Sequence, residues 1–131
     1  MSYHDHTDKR FFRNLRLGAP AAVEAFQALD SAVFENPASE IPAKYTELIA
    51  VAVALTTQCP YCLEAHAKAA NTAGATEAEL AETVMIASAL RAGGGLTHGW
   101  MAMKFFQGAE ATSGEAEATG DSPTVPAGAS F

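Results

Sequence analysis

Apolar side chains recur along this chain at intervals of three and four residues rather than two, a pattern that predicts helices and no strand. A short helix is expected from Thr7 or Asp8 to Arg16, with Phe11, Phe12 and Leu15 on its buried side. Gly18 and Pro20 end it and start the next. Over Ala21–Phe34, the residues Val23, Phe26, Leu29 and Val33 make one stripe, while Glu24, Gln27 and Asp30 fall outside it. Asn36-Pro37-Ala38-Ser39 reads as a loop, because the residue before a proline is pushed out of the α region. Pro42 then sits near the first turn of the following helix, where a missing N–H costs nothing.

That helix, over 44–58, differs from the others. Tyr45, Leu48, Ile49, Ala52 and Val53 form one face, and Val51, Ala54 and Leu55 make the rest apolar too. A helix apolar all round is expected to be the central, buried element. Pro60 disfavours helical geometry at Cys59 and should break it there. A helix from Pro60 or Tyr61 to about Thr72 follows, with Gly74 in the C-cap role. Thr76-Glu77-Ala78-Glu79 is a capping box opening another helix, whose stripe is Leu80, Val84, Ala87 and Leu90 with Met85 and Ile86 beside them. Gly93-Gly94-Gly95 is expected to end that helix at a tight corner needing positive φ. It lacks the Lys-Ser/Thr of a phosphate loop, and no strand precedes it. The last helix, Leu96 to about Gln107, carries Leu96, Trp100 and Met103 with Met101, Phe105 and Phe106 alongside. A wide core stripe and a subunit interface would each account for so much apolar surface.

The expected fold class is therefore all-α, a compact bundle of about six helices. The expected division is a flexible N-terminus over 1–8, a helical domain over 9–108 and a tail over 109–131. The tail holds four acids, no base, and only Val125 and Phe131 as larger apolar groups, a composition that reads as disordered. With 131 residues, 49% of them hydrophobic, the chain can build one sizeable core. A net charge of −7 argues against nucleic-acid binding, since an acidic surface repels phosphate backbones. Lys9, Arg10, Arg13 and Arg16 hold half of the eight basic residues, at the spacing of a solvated helix face. No signal peptide and no run long enough for a membrane span are visible, so a cytoplasmic location is expected.

The chemistry concentrates in Gln58-Cys59-Pro60-Tyr61-Cys62-Leu63-Glu64-Ala65-His66, which holds the only two cysteines. In a reducing compartment a close Cys pair points to redox or metal chemistry rather than a staple. Cys59 falls at a helix N-terminus and Cys62 in the first turn, where the helix dipole favours thiolate. His66 is i+4 from Cys62 and shares its face, so it can take the thiol proton. This marks Cys62 as the attacking thiol and Cys59 as its resolving partner. Glu47 lies about 7 Å along the helix axis from the level of His66, within reach of the imidazole but hardly of the sulfurs. It reads equally as an exposed N-terminal acid and as a partly buried carboxylate that orients His66. The candidate catalytic residues are Cys62, Cys59, His66 and Glu47. A zinc site made of these ligands lacks the usual second Cys/His pair, and no metal or cofactor is expected. Cysteines as core filler suit a lone Cys better than a pair. His4 and His6 flank Asp5 in the loose N-terminus and could pick up a metal, although such a terminus is usually just that. His98 could line the same pocket or sit quietly at a helix start.

Glu47, eleven residues, Cys59-Pro60-Tyr61-Cys62, three residues, His66, and then Gly74 before Thr76-Glu77-Ala78-Glu79, resembles the carboxymuconolactone decarboxylase superfamily. More narrowly, the pattern resembles its alkylhydroperoxidase D-like branch, over roughly Ala21–Gln107. Decarboxylase members generally lack the Cys pair. The resemblance implies an all-helical homo-oligomer, trimer or hexamer, acting as a dithiol peroxidase without cofactor. It implies that Cys62 attacks a small peroxide, Cys59 resolves it as a disulfide, and His66 and Glu47 relay the proton. The implied partners are a peroxide and a thiol reductant, with no nucleic acid and no membrane. The chain is shorter than the two-repeat peroxidases of the family, and Tyr61 stands where some carry histidine. A protein thiol–disulfide oxidoreductase serving a partner peroxidase is one alternative function. A non-catalytic oligomeric helical binding protein is the other.

Overall fold

In the computed structural model the described residues are 3–111, with side chains up to Gly108. They are all-α. A short 3₁₀ helix, His6–Phe11, leads into α1 (Phe12–Gly18), α2 (Pro20–Phe34), α3 (Ala43–Thr57), α4 (Pro60–Thr72) and α5 (Glu77–Ala111). Residues up to Gly94 make one compact unit, and those from Gly95 a second whose described part is helical. None of these helices is long and apolar enough to cross a membrane.

Local chemistry sets the helix ends. Pro20 and Pro60 both stand in the first turn of their helices, as their missing N–H allows. The α3 helix closes on Gln58, whose φ of 56° is left-handed. The Cys59 N–H then donates to the Ala54 carbonyl at 3.1 Å. The α4 helix ends the same way, with Gly74 at φ 89° and the Ala75 N–H on the Ala70 carbonyl at 2.9 Å. Glycine takes that conformation freely, whereas glutamine bears about 1–2 kcal/mol for it. The capping box at α5 is formed in both directions: Glu79 N–H donates to Thr76 Oγ1 at 3.1 Å, and Thr76 N–H to Glu79 Oε2 at 2.9 Å.

The most extensive packing is between α3 and α4. Leu48, Val51 and Ala54 of α3 are buried, together with Ala70 of α4 and Thr83 and Ala87 of α5. Two polar contacts tie α5 to the ends of α3. Lys44 Nζ meets Glu79 Oε1 at 2.8 Å beside the start of α3, and the Arg91 guanidinium donates to the Thr56 carbonyl at its end.

Three expectations change. The glycine triplet is no corner: Gly93, Gly94 and Gly95 lie inside α5 without positive φ. Three glycines cost a helix only about 1 kcal/mol each, and good helix formers flank them on both sides. The apolar stripes of the first two helices are not buried either; Phe11, Leu15, Phe26, Leu29 and Val33 are all half exposed or more. Even on α3, Tyr45, Ile49 and Val53 stay half exposed. Helical periodicity marks a face that needs cover, and the described residues do not supply it. Finally, the segment that reads as a loose end places side chains on α4. His4 Nε2 is 3.1 Å from Glu64 Oε2, the rings of His4 and Tyr61 meet edge to face, and Tyr61 Oη donates to Asp8 Oδ2 at 2.6 Å. The expected tail over 112–131 lies outside the described residues, while 109–111 continue α5.

Candidate dithiol site

The connection from α3 to α4 is only Gln58 and Cys59, and it carries the first cysteine into extended geometry (φ −99°, ψ 98°) as the N-cap of α4. Its sulfur caps the helix by accepting the Cys62 N–H at 3.3 Å. A sulfur that receives an N–H at the positive end of a helix is favoured as thiolate once reduced. Cys59 and Cys62 are joined as a disulfide, with their Cα atoms 5.3 Å apart.

Glu47 and His66 face each other across the α3–α4 packing. Glu47 Oε2 lies 2.7 Å from His66 Nδ1, with the side chains 16% and 23% exposed. This contact decides between the two readings of Glu47: it is the partly buried carboxylate. With Nδ1–H donating to Glu47, the neutral imidazole keeps its lone pair on Nε2. His66 and Cys62 both line a cavity of about 390 Å³, walled by Val33 and Phe34 of α2, Ile41, and Ile49, Val53 and Ala54 of α3. Glu47 opens instead on a smaller cavity of about 180 Å³, which shares Val33, Phe34, Ile41 and Thr46 with the first. The spatial order is therefore carboxylate, imidazole, thiol. The Phe34 ring lies 4.8 Å from the His66 ring, tilted by 31°.

Charged neighbours surround the other face of α4. Lys68 and, more weakly, His4 hold the Glu64 carboxyl below its usual range, and the Asp8 carboxylate raises Tyr61. His98 lies inside continuous α5, in the second unit, and not at a helix start. Sequence reasoning missed Phe34, which closes α2 next to a proline loop and carries no local signal of its partner. It also missed Tyr61 with Asp8 and His4 with Glu64, for the same reason.

Residues 20–105 match the profile of the carboxymuconolactone decarboxylase family. The chain belongs to that family. Relatives include "Uncharacterized protein 4 in cox locus" of Paracoccus denitrificans, 44% identical over 57% of this chain and 66% of its own length. An uncharacterized protein of Haemophilus influenzae is 41% identical over 52% of this chain and 60% of its own length. Another, from Cupriavidus necator, is 34% identical over 74% of this chain and 84% of its own. The chain thus spans less than two thirds of the length of the first two. Within the carboxymuconolactone decarboxylase family, the pair Cys59 and Cys62 is consistent with the alkylhydroperoxidase D-like branch.

Proposed function

We propose that this protein is a dithiol peroxidase. The observation that carries the reading is the Glu47–His66 hydrogen bond at 2.7 Å, with His66 and Cys62 on one cavity. His66 takes the Cys62 proton through Nε2 while Glu47 holds the ring and supports the imidazolium. The Cys62 thiolate attacks the terminal peroxide oxygen; the O–O bond breaks, the leaving alkoxide takes a proton from His66, and Cys62 becomes a sulfenic acid. The Cys59 thiolate then attacks the Cys62 sulfur, hydroxide leaves as water on protonation, and the disulfide closes. Two thiols of an external reductant restore the pair. One peroxide and two thiols thereby yield an alcohol, a water and a disulfide. The many large apolar side chains exposed among the described residues support a homo-oligomer, and the family resemblance implies a trimer or hexamer.

The test is peroxide consumption coupled to a thiol reductant. It is expected in the wild type and absent in Cys62→Ser; equal turnover in that variant would remove the proposal.

A second reading is favoured by one feature, the capping of α4 by the Cys59 sulfur. A thiolate stabilised there also suits a protein thiol–disulfide oxidoreductase that reduces a partner peroxidase, with Cys59 as the attacking group. Under this reading a mixed disulfide with the partner accumulates on Cys59 in Cys62→Ser, and peroxide alone is turned over poorly.

A further inference from the structure

We infer that Phe34 is the positioning residue that fixes the plane of the His66 imidazole. The inference rests on the acid–base role given to His66 above, though not on peroxide being the substrate.

The hydrogen bond from Nδ1 to Glu47 and the covalent link to Cβ hold one side of the ring, but the ring can still tilt through small changes in χ1 and χ2. Nε2 moves with each tilt, and proton transfer requires it within hydrogen-bond reach of the sulfur. An aromatic ring against the imidazole face removes this freedom. Phe34 supplies that ring, at a centroid distance of 4.8 Å, within the range where offset aromatic pairs attract. Edge and face contacts together define the imidazole's orientation, and they come from different elements, Glu47 on α3 and Phe34 at the end of α2.

Phe34 lines both the cavity of Cys62 and His66 and the smaller one that holds Glu47, as do Val33, Ile41 and Thr46. What sets Phe34 apart from those three is its ring contact with His66.

The experiment uses the full chain, fully reduced, in a Cys59→Ser background so that iodoacetamide reports on Cys62 alone at one fixed pH near neutrality. Phe34→Ala is expected to slow alkylation about tenfold, a part of the 10²–10⁴ that a placed base contributes. Phe34→Tyr is expected to stay within about twofold of Phe34, whereas Phe34→Leu, which fills the space without a ring face, follows Phe34→Ala. Nitrogen-15 NMR of His66 should show one Nδ1–H tautomer with Phe34 or Tyr and a mixture with Ala or Leu. In the reverse background, Cys62→Ser, the alkylation of Cys59 should not respond to position 34. Circular dichroism at the assay temperature confirms that each variant is folded, and Phe34→Leu serves if Phe34→Ala is not. Undiminished Cys62 alkylation with a single tautomer in Phe34→Leu overturns the inference. So does an equal slowing of Cys59, which signals general loosening. If alkylation behaves as expected while the wild type fails to consume peroxide, the positioning role stands and the peroxidase proposal falls.

Discussion

At the scale of single residues, the proposed peroxidase mechanism gives a role to a carboxylate that is hydrogen-bonded to His66. Under that proposal Glu47 acts on His66, and through it on Cys62, which lines the same cavity as His66. Glu47→Gln keeps the shape, but its amide cannot support an imidazolium, so peroxide turnover is expected to fall at least about tenfold with the fold intact. Steady-state rates beside a melting curve check this, and a rate within twofold of wild type would take Glu47 out of the relay. That Cys62 and His66 line one cavity was legible in sequence, because helical spacing alone places them on one face. Whether Glu47 reached His66 depended on how α3 and α4 pack, which spacing leaves open. Phe34 was not legible at all, since its contact with His66 is a tertiary accident of where α2 ends.

At the scale of elements, the helices are joined at their ends by charges. The bond from Lys44, and then the Thr76 N–H, holds the Glu79 carboxyl below its ordinary 4.5, and Glu64 is lowered chiefly by Lys68. A depressed carboxylate stabilises the fold above its unfolded value and loses that contribution as pH falls through the folded one. Glu79 in turn raises Lys44 from 10.5, and Asp8 raises Tyr61 from 10.0, contributions present at neutral pH and lost on the alkaline side. Melting temperature is thus expected to be flat at neutral pH, to drop below about pH 4.5 and to drop again above about pH 10. In Glu79→Gln the acid-side drop should shrink, as thermal melts across pH will show. The helix ends at Thr57 and Thr72 and the capping box at Thr76 were readable because each is local chemistry. The triplet Gly93-Gly94-Gly95 was misread because a glycine weakens a helix without forbidding it. A Cβ at Gly94 meets only open space, so Gly94→Ala should stabilise α5 by about 0.5–1 kcal/mol. A rise in melting temperature followed by circular dichroism would bear this out, and a fall would mean that α5 must open at the triplet.

At the scale of the whole molecule, burial among the described residues is sparse, and no large side chain among them is fully enclosed. The sequence pattern identified which faces are apolar but not what covers them, because the covering surface need not belong to the same chain. The cavity that Cys62 opens on belongs to this question. Val33, Ile41, Ile49 and Val53 form its walls, and each is about half exposed. A copy seated on those side chains would shut the chamber around the thiol and exclude solvent from it. Catalysis would then obey mass action: specific activity should hold steady at high protein concentration and decline on dilution, in step with dissociation followed by sedimentation. Activity per chain that is indifferent to dilution through the dissociation range would show that each copy seals its own chamber.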